Sequence, residues 1–120
     1  MANIIREKSF KFALDVINLF KQLNQKNEFI ISKQLMRSGT SIGANIEEGL
    51  QGQSRADFIS KLSISLKEAF ETRYWLELLK YSHLVDINVD SYLVSVNDLI
   101  SILTKIIKTA KNGCNRIWNI

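Results

Sequence analysis

The chain has 120 residues, 46% hydrophobic and 23% charged, with no proline and a formal net charge of +4. That length supports one domain with one modest core and excludes two, and the composition is ordinary for a soluble globular protein. Cys114 is the only cysteine, which excludes an intramolecular disulfide and a cysteine metal cluster.

Arg6, Glu7 and Lys8 stand where a signal peptide would carry its apolar segment. No apolar run reaches the roughly 20 residues of a membrane-crossing helix. The expectation is a cytoplasmic protein that does not enter a membrane.

The hydrophobic period is helical throughout. In the first segment, over about 4–23, Phe12, Val16, Leu19 and Leu23 recur at steps of four, three and four, with Phe20 widening the stripe. The run Asn-Gln-Lys-Asn at 24–27 breaks it. A second segment, over about 28–48, carries Ile31, Leu35, Ile42 and Ile46 on its apolar side and ends at the Gly49–Gly52 stretch. Ser54 then offers an N-cap with Asp57 three residues on, a weaker form of the capping box. The third segment, about 54–81, buries Leu62, Leu66, Ala69, Leu76 and Leu79.

Turn and cap residues at 86–90 precede the clearest pattern, over about 90–112. There Tyr92, Val96, Leu99, Leu103, Ile106 and Ala110, flanked by Leu93, Ile100 and Ile107, make the near-heptad seam of a bundle. Asn112 and Gly113 supply a C-cap, leaving a tail over 113–120. Four amphipathic helices with short connections predict an all-α, antiparallel up-down-up-down four-helix bundle.

Residues 37–49 read R-S-G-T-S-I-G-A-N-I-E-E-G. A phosphate-binding loop would need a preceding strand and a lysine after its second glycine, and both are missing. A helix survives, although each interior glycine costs about 0.8–1 kcal/mol relative to alanine. Close packing is the expected compensation, with Tyr74 and Trp75 of the third segment as candidates to fill the space. Arg37, Ser41, Asn45 and Glu48 share one helical face, and Glu68, Glu71 and Trp75 share another. If the two faces meet, Arg37 pairs with a glutamate and Asn45 finds partners for its amide. Such a cluster reads as a device fixing the register of two helices, as a binding or catalytic site, or as simple surface.

Residues 1–98 hold twelve basic and twelve acidic side chains, so the whole excess lies in Lys105, Lys108, Lys111 and Arg116. Lysines complement the dipole of a helix C-terminus; they also form the basic patch of a nucleic-acid binder. The tail holds Ile117, Trp118 and Ile120, which either fold back on the bundle or dock on a neighbouring subunit. His83 is the only histidine and has Lys80, not glutamate, three residues before it. The Glu-x-x-His pairs of a bundle di-iron site are therefore lacking. Glu68 and Glu71 have no readable nucleophile or metal beside them. The expectation is a non-enzymatic protein with no cofactor and no metal.

Residues 37–49, together with L-S-I-S-L-K-E-A-F-E-T-R-Y-W-L-E-L-L at 62–79, resemble the four-helix bundle proteins encoded in intervening sequences of bacterial large-subunit ribosomal RNA genes, the S23-like family. The resemblance covers nearly the whole chain. Arg37, Ser41, Ile42, Asn45, Ile46, Glu48 and Gly49 match in the first motif, and Ser65, Leu66, Glu68, Glu71 and Thr72 in the second. Many relatives have proline where this chain has Gly43, which leaves a helix start or kink open there. The resemblance implies an up-down bundle and a ring-like homopentamer. It also implies similarity to the accessory variability proteins of diversity-generating retroelements, basic pentamers that bind nucleic acid and a reverse transcriptase. The resulting reading is an oligomeric adaptor contacting RNA or DNA through Lys105, Lys108, Lys111 and Arg116. The alternative is a protein-interaction module with no nucleic-acid role.

Overall fold

The structure is a computed structural model that describes residues 2–113. It contains α1 (Ala2–Gln25), α2 (Ile31–Leu50), α3 (Arg55–Ser82) and α4 (Asp90–Lys111). Among the described residues there is no strand, and the fold is an all-α four-helix bundle as expected.

Cross-helix contacts show that neighbours run in opposite directions. Between α1 and α2, Arg6 meets Glu47 at one end and Ser32 meets Asn24 at the other. Between α2 and α3, Glu48 lies near Lys61 while Ser38 hydrogen-bonds Thr72. Between α3 and α4, Arg55 reaches Gly113 and Lys80 reaches Asp90. The bundle closes where Lys8 meets Asp98 and Tyr92 lies beside Gln22.

The apolar stripes read from the period form the core. Phe12, Val16, Leu19 and Leu23 of α1 are almost fully buried, as are Leu35, Ile42 and Ile46 of α2. So are Leu62, Ala69, Leu76 and Leu79 of α3, and Val96, Leu99, Leu103, Ile106 and Ala110 of α4. Leu66 and Tyr92 are only partly buried against this core. At roughly 1.5–3 kcal/mol per large apolar side chain, this burial is what holds the helices together.

The helix ends deserve separate causes. Ser54 caps α3 by accepting the N–H of Asp57 at 3.1 Å, and Asp57 accepts the N–H of Gln53 at 3.3 Å, a displaced capping box. His83 closes α3 in the left-handed region at φ 54°. Gly113, at φ 84°, follows the Asn112 C-cap of α4, a conformation that glycine adopts without strain.

The start of α2 differs from the expectation at residue 28. Asn27 turns to φ 63° and interrupts the chain. Glu28 is 7% exposed, and its carboxylate accepts the N–H groups of Ile30, Ile31 and Ser32 at 3.1, 3.0 and 2.7 Å. It therefore caps the helix and lies outside it, satisfying donors that the first turn leaves unpaired.

α2 then runs unbroken through Gly43, so no helix starts there. Its glycines do not face Trp75 or Tyr74. Gly39 packs on Val16 and Gly43 on Ser9, both in α1, whereas Gly49 meets Leu62 and Lys61 of α3. The glycines thus let two helices approach the backbone of α2 from different sides.

Candidate functional site

The α2–α3 seam brings Arg37, Glu68 and Glu71 together. Arg37 donates through Nη1 to Glu68 at 3.1 Å and through Nη2 to Glu71. Trp75 donates its indole N–H to the same Glu71 oxygen at 3.0 Å. The indole hydrogen bond, joined by Arg37, holds the Glu71 carboxyl below its ordinary value, against the opposing effect of burial. The Glu71 hydrogen bond likewise keeps Arg37 above its ordinary value.

The remaining members of the expected cluster do not join it. The Ser41 hydroxyl donates to the Arg37 carbonyl at 2.6 Å and the Asn45 amide donates to the Ser41 carbonyl at 2.8 Å, both along their own helix. Glu48 lies 3.8 Å from Lys61. Shared helical spacing placed the four residues on one side of α2, but α3 supplies carboxylates only opposite Arg37.

Beneath this surface lies a row of buried hydroxyls that the period did not single out. Ser65 donates to the Ile42 carbonyl at 2.8 Å, and Thr72 lies 2.9 Å from Ser38 Oγ and 2.8 Å from the Glu68 carbonyl. Ser38, Ser65 and Thr72 are fully buried and satisfied. Their hydrogen bonds run along α3 and across to α2, which ties the two helices in register. Among the described residues, no group of three His, Cys, Asp or Glu side chains could hold a metal ion. No described helix is long and apolar enough to cross a membrane.

Lys105, Lys108 and Lys111 are all exposed on the last two turns of α4. Steps of three residues rotate them by about 60° each around the helix. Lys108 and Lys111 thereby line a shallow groove with Thr104, Ile107 and Asn112 of α4 and Leu66 of α3. Lys105 is not among the groove's lining residues. None of the three forms an ion pair with a described residue, a lack shared by Lys21, Lys26, Lys33 and Lys67, whereas Arg6, Lys8, Lys11, Arg37, Lys61, Arg73 and Lys80 all lie within 4 Å of a carboxylate. Arg116, and the tail residues Cys114, Ile117, Trp118 and Ile120, lie outside the described residues.

Sequence reasoning passed over Arg55. It stands at the start of α3, where its Nη2 donates to the Gly113 carbonyl at 3.4 Å. Its sequence neighbours at three and four residues, Gln51, Gly52, Phe58 and Ile59, include no acid. That spacing was a legible sign of an arginine without a helical ion pair.

Comparison with known proteins agrees with this architecture. The family model for the 23S rRNA-intervening sequence protein matches residues 1–109. A crystal structure at 1.70 Å of a protein with unknown function, from the S23 ribosomal protein family of Bacteroides thetaiotaomicron VPI-5482, is 50% identical. It superposes with a TM-score of 0.85, covering 90% of this chain and 98% of that one. No functionally curated protein matches the chain. The match along almost the full length, together with the four-helix architecture, identifies the chain as a member of the 23S rRNA-intervening sequence protein family.

Proposed function

We propose that this protein is a non-enzymatic, cytoplasmic adaptor that assembles into a homo-oligomer and binds RNA or DNA through the basic end of α4. The observation that carries the reading is the set of three exposed lysines, Lys105, Lys108 and Lys111, without carboxylate partners among the described residues. Salt-bridged cations are already neutralised, so these three dominate the local field that a polyanion meets. One protomer of net charge +4 is a weak polyelectrolyte ligand. A pentamer would gather about twenty positive charges and gain from multivalent contact.

Exposed apolar surface on α1 supports assembly. Phe10 and Leu14 are 66% and 48% exposed one turn apart, beside the small residues Ala13, Gly43 and Ala44 that allow close approach. The same surface favours the second reading, a protein-interaction module without nucleic acid.

Fluorescence anisotropy with labelled RNA and DNA at low salt tests the proposal. Binding should weaken as salt rises, and replacing the three lysines by glutamine should reduce the log–log salt slope by about three. A protein that binds neither RNA nor DNA at low salt, yet assembles, would move the reading to the interaction module.

A further inference from the structure

We infer that Arg55, Lys108 and Lys111 form a binding site for a phosphate oxyanion, supplied by a nucleic-acid backbone. This deepens the function proposed above and rests on it. Arg6, Arg37 and Arg73 each lie within 4 Å of a glutamate. Arg55 has no carboxylate partner among the described residues. Its Nε is buried and makes no hydrogen bond, and its one contact, from Nη2 to the Gly113 carbonyl, is long at 3.4 Å. A buried donor on a permanently charged group is costly to leave unpaired, and such a group points to an unassigned ion or water.

The antiparallel pairing of α3 and α4 decides what surrounds it. The start of α3 lies against the end of α4, and from residue 99 onward the chain has no acid. Arg55 therefore touches Gly113, two residues beyond Lys111 and next to Asn112. Lys108, Lys111 and Asn112 line a groove whose apolar side is Leu66 and Ile107; Arg55 does not line it, and its contact with Gly113 ties it to the residue after Asn112. Asp57 is the acid in the first turn of α3, and its carboxylate is engaged by the Gln53 N–H. The guanidinium fork matches a phosphate through paired N–H groups, and the two lysines add point charges. A phosphodiester fits this donor set better than a lone carboxylate does, because its oxygens can meet the fork and a lysine together.

The test follows the Arg55 Nε–H signal of the full chain by nitrogen-15 NMR, identified by its loss in R55Q. One titration uses a short single-stranded RNA and a short duplex DNA; another uses inorganic phosphate. Affinities are measured for R55Q, R55K and the triple lysine variant, with circular dichroism checking that each is helical. The expected result is a shift of the Arg55 signal on adding nucleic acid and a roughly ten-fold loss of affinity in R55Q. R55K should recover only part, since it keeps the charge without the fork. If nucleic acid binds, and weakens on lysine replacement, while the Arg55 signal and R55Q affinity are unchanged, the inference is overturned and the proposed function stands. If inorganic phosphate shifts the signal but no nucleic acid binds, the oxyanion site stands, its source is free phosphate, and the proposed function falls. If neither ligand moves the signal and none binds, both fall.

Discussion

Gly39 of α2 packs so closely on Val16 of α1 that a β-carbon added there would lie 2.8 Å from Val16 Cγ2 and 2.9 Å from Cγ1. Both methyls belong to a β-branched side chain that holds one preferred rotamer in a helix, so Val16 cannot rotate out of the way. Two effects oppose each other in Gly39→Ala. Helix propensity and reduced unfolded-state freedom favour alanine by about 1 kcal/mol. Overpacking costs about 1–3 kcal/mol. The clash wins, and G39A should lose about 1 kcal/mol, read as a lower urea midpoint. Val16→Ala in the same chain should recover much of the loss through a double-mutant coupling. A G39A protein as stable as the parent would show that the α1–α2 contact is looser than described.

Gly43 is the control, four residues along the same helix. Its added β-carbon would meet Ser9 no closer than 3.4 Å, an ordinary contact. Here the propensity term acts nearly alone, so Gly43→Ala should stabilise the bundle by about 0.5–1 kcal/mol. Opposite signs for the two substitutions, from one set of urea melts, are the outcome that checks the assignment. A destabilised G43A would mean that the glycine serves a closer approach than Ser9 makes.

These two glycines also mark where the sequence stops being readable. The 3.6-residue period shows which side chains share a face of one helix, and this was enough to place Val16, Leu35, Leu76 and Leu103 in the core. It does not show which of two neighbouring helices that face meets. Spacing alone therefore leaves Tyr74 and Trp75 as candidates to fill the space at Gly39 and Gly43, which in the fold meet Val16 and Ser9. Charge narrows the choice where it is complementary: Arg37 could be paired with Glu68 and Glu71 because α3 offers carboxylates at matching spacing. Asn45 and Ser41 carry no such sign, and they turned out to bond along α2. The period alone places Glu28 in α2, because its capping role, three accepted N–H groups, depends on the turn at Asn27. Arg55 needed the tertiary pairing of α3 with the acid-free end of α4.

The Arg37–Glu71–Trp75 contact gives a pH dependence. The Trp75 hydrogen bond, with Arg37, lowers the Glu71 pKa in the folded protein beneath its ordinary 4.5. The folded state therefore favours ionised Glu71. That contribution is complete above the unfolded value and is lost as pH falls through the depressed folded value. Arg37 is 50% exposed and Glu71 36% exposed, so screening keeps the effect below about 1 kcal/mol. Stability from urea melts should fall less steeply below about pH 4.5 in E71Q than in the parent. In W75F, which removes the indole donor, the Glu71 carboxyl should titrate higher by NMR. An unchanged titration in W75F would assign the shift to Arg37 instead.

Glu28 caps α2 with one carboxylate that three backbone N–H groups share. One carboxylate, 7% exposed, accepts three backbone N–H groups at the start of α2, and the Glu28 carbonyl is 2.9 Å from the Ser32 hydroxyl. The Ser32 N–H cannot turn to water without unpacking, because Ser32 is fully buried, whereas Ile30 is exposed. Glu28→Ala leaves the Ser32 donor unsatisfied and should cost about 2–3 kcal/mol, above an ordinary N-cap loss of about 1. Glu28→Gln keeps a carbonyl acceptor of the same length and should lose less, about 1 kcal/mol, since only the charge-assisted part disappears. Hydrogen exchange locates the effect: the amides of Ile31 and Ser32 should lose protection in E28A more than those of the α2 centre do. Equal stability of E28A and the parent would mean that water or the Ile30 backbone can cap α2 as well, and the turn at Asn27 alone would then set where the helix begins.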